Sequence, residues 1–296
     1  MEYSNSKIKF NEFYNNYYGH TSQNLQSIIS SFKNKKNFIY LVGDSSLDNK
    51  HWILSKIAKA VNGYERIISP PNSVMDISYH LNSVLIENES NYVCVNCAVE
   101  ESTIGMREGG NLLEQDVIVR DNITSEDILI VSIGGNDVVL KPKCQTIMKM
   151  LWLSKISKTG SIIDGSAWGL GYFINLFKNK IEEYIQNICP IGRRPKKIMV
   201  CMIYYPHEKR GGWADTSLKF LNYNSNPSHL KSIISSVYEL ATKQINIEGS
   251  EVIPVKLFEI LDSRIESNDY VERVEPSETG GRKMAEAFFD LIKNNK

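Results

Sequence analysis

The chain has 296 residues, and 42% of them are hydrophobic, enough to fill a sizeable core. Thirty-four basic residues balance thirty-four acidic ones, which removes the case for general attraction to nucleic acid or to an anionic membrane surface. No apolar run in the first residues suits a secretory leader and no later stretch has spanning length, so a cytoplasmic protein without a membrane span is expected.

Residues 1–36 read as a helical lead-in to a single domain over 37–296. Short runs rich in Val, Ile and Leu follow at 38–42, 92–97, 128–133, 198–204 and 252–258. Each has the length of a buried strand and lacks polar alternation, as a parallel sheet covered on both faces requires. Helical spacing is expected at 50–61, at 72–86 after Pro70-Pro71, at 167–188 behind Ser166 as cap, at 227–245 and at 282–292. Residues 141–195 read as a helical insertion over the sheet. Strands alternating with helices imply βαβ units with right-handed crossovers, and in such a sheet ligands bind at the carboxyl ends of the strands.

The five cysteines, an odd number, fit reduced thiols better than a disulfide framework. Cys94 and Cys97 form a C-x-x-C inside a strand-like run, where the spacing sends them to opposite faces. No His or Cys spacing supports a metal site.

Four strand ends carry chemistry-bearing residues: Gly43-Asp44-Ser45 after the first, Asn96-Cys97-Ala98-Val99-Glu100-Glu101-Ser102-Thr103 after the second, Gly134-Gly135-Asn136-Asp137 after the third, and Glu272-Arg273-Val274-Glu275-Pro276-Ser277 before the last helix. A serine at a strand's carboxyl end has its hydroxyl in a crevice where backbone N–H groups favour developing negative charge. An asparagine after the neighbouring strand aims an amide at the same place.

Together these blocks resemble the SGNH, or GDSL-type, hydrolase family. The resemblance implies a three-layer αβα sandwich with a five-stranded parallel sheet in flavodoxin-like order 2-1-3-4-5. It also implies hydrolysis of a carboxylic ester or related acyl bond in a small-molecule substrate, without a cofactor. Ser45 would be the nucleophile. The Asn136 side chain and the backbone amides of Ser45 and Glu101 would form the oxyanion hole, supported by Gly43, Asp44, Gly134 and Asp137.

Two blocks depart from the family pattern. Glu101 stands where the second block has glycine, and Glu272 and Glu275 stand where D-x-x-H has its aspartate and histidine. A glutamate is a weak base for a serine unless burial or a neighbouring carboxylate raises its pKa, and Glu272, three residues from Glu275, supplies such a neighbour. Three arrangements are open: Glu275 as base, His207 from the loop after the fourth strand as base, or a catalytically inactive protein that binds a ligand or partner. The sequence assigns no oligomeric state.

Overall fold

The computed structural model describes residues 7–140, 149, 157 and 159–294, so most of 141–158, the first part of the expected insertion, lies outside the described residues. Five parallel strands form the central sheet: β1 (Asn37–Gly43), β2 (Tyr92–Asn96), β3 (Ile128–Ser132), β4 (Lys197–Met202) and β5 (Glu251–Lys256). Their spatial order is β2-β1-β3-β4-β5, the order 2-1-3-4-5 expected from the sequence.

Because side chains alternate across a strand, each strand feeds two cores. Phe38, Tyr40 and Val42 of β1 face one core and Ile39 and Leu41 the other. Helices α1 (Ser22–Phe32), α3 (Glu114–Asn122), α4 (Lys180–Ile188) and α5 (Pro227–Leu240) close the first face. The second face is closed by α2 (Ile77–Glu87) and α6 (Glu278–Asn294), packed on each other. The result is three layers, α over β over α. Cys97 and Cys94 lie in these two separate cores, both thiols with pKa raised by burial.

Three expected helices differ from the structure. Residues 50–61 hold a 3-10 turn, Asn49–Ile53, and a short strand, Ile57–Lys59, paired antiparallel with Asn72–Val74. The polar positions that would face solvent on a helix are committed inside: Lys50 is fully buried and donates to both oxygens of buried Asp48 at 2.6 and 2.7 Å. The helix expected from residue 72 begins only at Ile77, where the Asp76 carboxylate accepts the backbone N–H of Tyr79 at 2.8 Å. The helix expected over 167–188 starts at Leu170, behind Gly169, and passes through a π turn at Asn175–Asn179 before continuing as α4.

Candidate active site

The turn after β1 is built around glycine. Gly43 has φ 132°, and a Cβ there would lie 1.8 Å from the Ser132 carbonyl oxygen of β3. Asp44 then points its carboxylate at the next turn residue rather than at Ser45, accepting from the Ser46 N–H at 3.0 Å and the Ser46 hydroxyl at 2.7 Å. Burial raises the Asp44 pKa to about 6. With Asp44 occupied, the Ser45 hydroxyl is left to the Glu275 carboxyl, which it approaches closely enough to lower the Glu275 pKa against the effect of burial.

Glu275 reaches this point from a short ladder, Tyr270–Glu272 against Glu275–Pro276, directly before α6. The ladder is held by Asn49, which donates to the Pro276 carbonyl at 3.1 Å and accepts from the Ile77 N–H at 3.2 Å. Glu275 is 1% exposed, and its Oε2 has no hydrogen-bond partner among the described residues. Burial first, then the charge of Glu100, hold its pKa well above the carboxylate range.

Asn136 sits in the first turn of the short helix Gly135–Val139 after β3. Its Nδ2 donates to the Ser102 carbonyl at 3.1 Å, which fixes the amide plane and leaves its second N–H available. Asp137 ties the two loops together by accepting the N–H groups of Ile104 at 2.8 Å and Gly105 at 3.0 Å. The Gly43 carbonyl accepts the Val99 N–H and the Ser102 hydroxyl, so the β2 loop is also fastened to the serine turn.

Glu101 has φ 57°, in the left-handed region, while Tyr17 donates to its Oε1 at 3.2 Å. The backbone therefore keeps a conformation that favours glycine although a glutamate occupies it. Glu101→Gly is expected to leave the urea midpoint unchanged or raise stability by up to about 1 kcal/mol, since relief of about 1–2 kcal/mol of left-handed strain opposes the entropy of glycine. A stability loss above about 2 kcal/mol in urea unfolding would contradict this.

The sequence-predicted residues do not all meet. Ser45, Asn136 and Glu275 line one cleft, with Asp44 at its edge. Glu272 turns elsewhere: its Oε2 accepts the Trp213 N–H at 3.2 Å and packs on Gly212, so it secures the loop whose indole lines the cleft. The His207 ring is stacked on Tyr270 at 5.3 Å, its Nε2 lies 2.9 Å from the Arg264 carbonyl oxygen, and it is not among the residues lining the cleft.

The buried charges behind the serine escape a sequence reading. Glu100 is 3% exposed and accepts from the Trp52 indole at 3.3 Å. Burial, then the nearby Asp48 charge, raise its pKa to about 8. Lys50 faces this group while paired with Asp48. The available signal for Glu100 is its place in the second strand-end block. For Lys50 there is none, because a lysine is read as solvated by default. Among the described residues no cluster of His, Cys, Asp and Glu is arranged to hold a metal ion.

No family model matches the chain, and no curated protein matches it. Solved structures do resemble it. A lipase from a goat rumen metagenome aligns with 86% of this chain and 97% of its own at 12% identity and a TM-score of 0.47. A psychrotrophic esterase, EstA, from Pseudoalteromonas aligns with 88% of this chain and 98% of its own at 12% identity and a TM-score of 0.45. An acetylxylan esterase from Geobacillus stearothermophilus aligns with 87% of this chain and 94% of its own at 12% identity and a TM-score of 0.42.

Proposed function

We propose that the protein hydrolyses neutral carboxylic esters through Ser45. The single observation that carries this reading is that Ser45, buried Glu275 and Asn136 line the same cleft, with the serine close enough to the carboxyl to act on its pKa. In the first step the Ser45 Oγ bonds to the ester carbonyl carbon as its proton passes to ionised Glu275. The carbonyl oxygen takes the electron pair and is met by the free N–H of Asn136 and the backbone amides of Ser45 and Glu101. The C–O bond to the alcohol then breaks and the alcohol leaves with the proton from Glu275; water, deprotonated by Glu275, then attacks the acyl carbon, and the acid departs as the Ser45 Oγ takes that proton back from Glu275.

A second reading, a binding protein without turnover, is favoured by one observation: the raised pKa of Glu275 shifts its carboxyl toward the neutral form, which takes no proton. A fluorophosphonate probe separates the two, because it reacts only with an activated serine. Labelling of the wild type at pH 8–9 that disappears in Ser45→Ala is the expected result. Absence of labelling at every pH between about 6 and 10, a window spanning the raised carboxyl pKa values, would leave the binding reading.

A further inference from the structure

The cleft that opens from Ser45 is walled mainly by apolar side chains. Its walls come from three segments remote in sequence: Phe173 and Phe177 ahead of α4, Leu218 from the helix Asp215–Phe220, and Ile233, Ile234 and Val237 from α5. Besides Tyr204 and Trp213, its polar lining residues are Asp44, Ser45, Ser46, Asn136 and Glu275, the residues of the serine turn and its neighbours. Tyr204, which also lines it, has its hydroxyl committed to the Val274 carbonyl at 2.6 Å. Among the described residues no lysine, arginine or histidine lines the cleft.

These features select among ester classes. A phosphate-bearing or carboxylate-bearing group would enter without a cation and beside buried carboxyls, at a high desolvation cost. An acylated sugar would bring hydroxyls into apolar walls that return no hydrogen bonds, and each unpaired buried hydroxyl costs ~1–3 kcal/mol. A hydrocarbon chain loses nothing there and gains burial along its length.

We propose that this cleft is an acyl-chain site, and that the preferred substrates are esters of unbranched acids longer than acetate, each added methylene being buried against the apolar walls. This assignment rests on the hydrolase reading above, because it is the acyl group, bonded to Ser45 in the intermediate, that must begin at the serine and run into the apolar space. The alcohol then departs on the side away from the hydrophobic walls, and the chain stays anchored through both halves of the reaction. Glu275, with its orphaned Oε2, is one of the polar residues beside which the ester group itself must sit.

The test is a series of p-nitrophenyl esters from acetate to dodecanoate. Between butanoyl and decanoyl, kcat/KM is expected to rise two- to fourfold per methylene, at least about 50-fold in all, the upper value being the ~0.8 kcal/mol of a fully buried methylene. Val237→Trp, which fills the middle of the cleft, is expected to flatten that rise. A second series reads the cleft without chemistry: binding of 2-alkanones, neutral ester mimics of four to twelve carbons, to Ser45→Ala by calorimetry, with affinity expected to climb per methylene in the same way. A flat ketone series, or a kcat/KM greatest for acetate, overturns the acyl-chain site. Hydrolysis of none of the esters, with ketone affinity still rising with length, overturns the hydrolase reading instead.

Discussion

Glu275→Gln is expected to lower kcat for a neutral ester by about 10²- to 10⁴-fold, the usual contribution of a positioned general base. Glutamine keeps the shape of the neutral carboxyl and its ability to hydrogen-bond Ser45, so the loss reports proton acceptance alone. The wild-type activity should also carry the signature of this base. Burial, then Glu100, hold the Glu275 pKa well above the usual carboxylate range, so kcat is expected to rise with pH in a range above that in which an ordinary carboxylate titrates. In Glu275→Gln that rise disappears. Glu100→Gln removes the second cause of the shift and is expected to move the rise of activity to lower pH. A kcat of Glu275→Gln within about threefold of wild type would rule out Glu275 as the base, since general bases contribute far more.

Stability should run the opposite way, and the sign follows from linkage. Asp44, Glu100 and Glu275 all have folded pKa values above their unfolded ones, to about 6 for Asp44 and about 8 for Glu100. Their neutral forms stabilise the folded state fully below the unfolded pKa of about 4, and that contribution is lost as pH rises through the folded values. A thermal midpoint that falls from pH 5 to pH 9 while activity climbs is the expected pattern, with the fall shallower in Glu100→Gln and Glu275→Gln.

The sheet was legible because its strands are continuous apolar runs, and nothing but burial on both faces explains such runs. The strand ends followed from it, and so did the grouping of Ser45, Asn136 and Glu275 in one cleft, since topology brings the residues after neighbouring strands together. Three things were hidden, each for a physical reason. Residues 50–61 carry apolar spacing that fits a helix, yet they hold a 3-10 turn beside the buried Lys50–Asp48 pair and a short strand paired antiparallel with Asn72–Val74. Charged residues buried as a set, Asp48, Lys50 and Glu100, look like solvated ones until tertiary structure encloses them. The cleft walls join Phe173 and Phe177 to Leu218 and the helix that follows it, segments separate in the chain, so no local pattern announces a common cavity.

Gly43→Ala is expected to destabilise the protein by about 3–5 kcal/mol, the sum of left-handed strain and a backbone clash in a packed core. The clash has no cheap relief. The added methyl would stand 1.8 Å from the Ser132 carbonyl oxygen, a backbone atom of the paired strand β3, while Gly43 itself holds φ 132°. Moving β1 away from β3 stretches the Asp44 N–H to Ser132 carbonyl bond, now 3.0 Å. It also disturbs the Gly43 carbonyl, which holds the Val99 N–H and the Ser102 hydroxyl and so carries the loop beneath Asn136. Stability and site geometry therefore fail together, and the rate of Ser45 labelling should drop along with the urea midpoint. Gly109→Ala is the matched comparison: its φ of 68° is also left-handed, but no atom lies within 4 Å of the added methyl. That variant isolates the backbone term, about 1 kcal/mol, and should leave labelling untouched. Equal urea midpoints for the two variants would mean that β1 yields at Gly43 without strain, and that the close approach to Ser132 is not what shapes the serine turn.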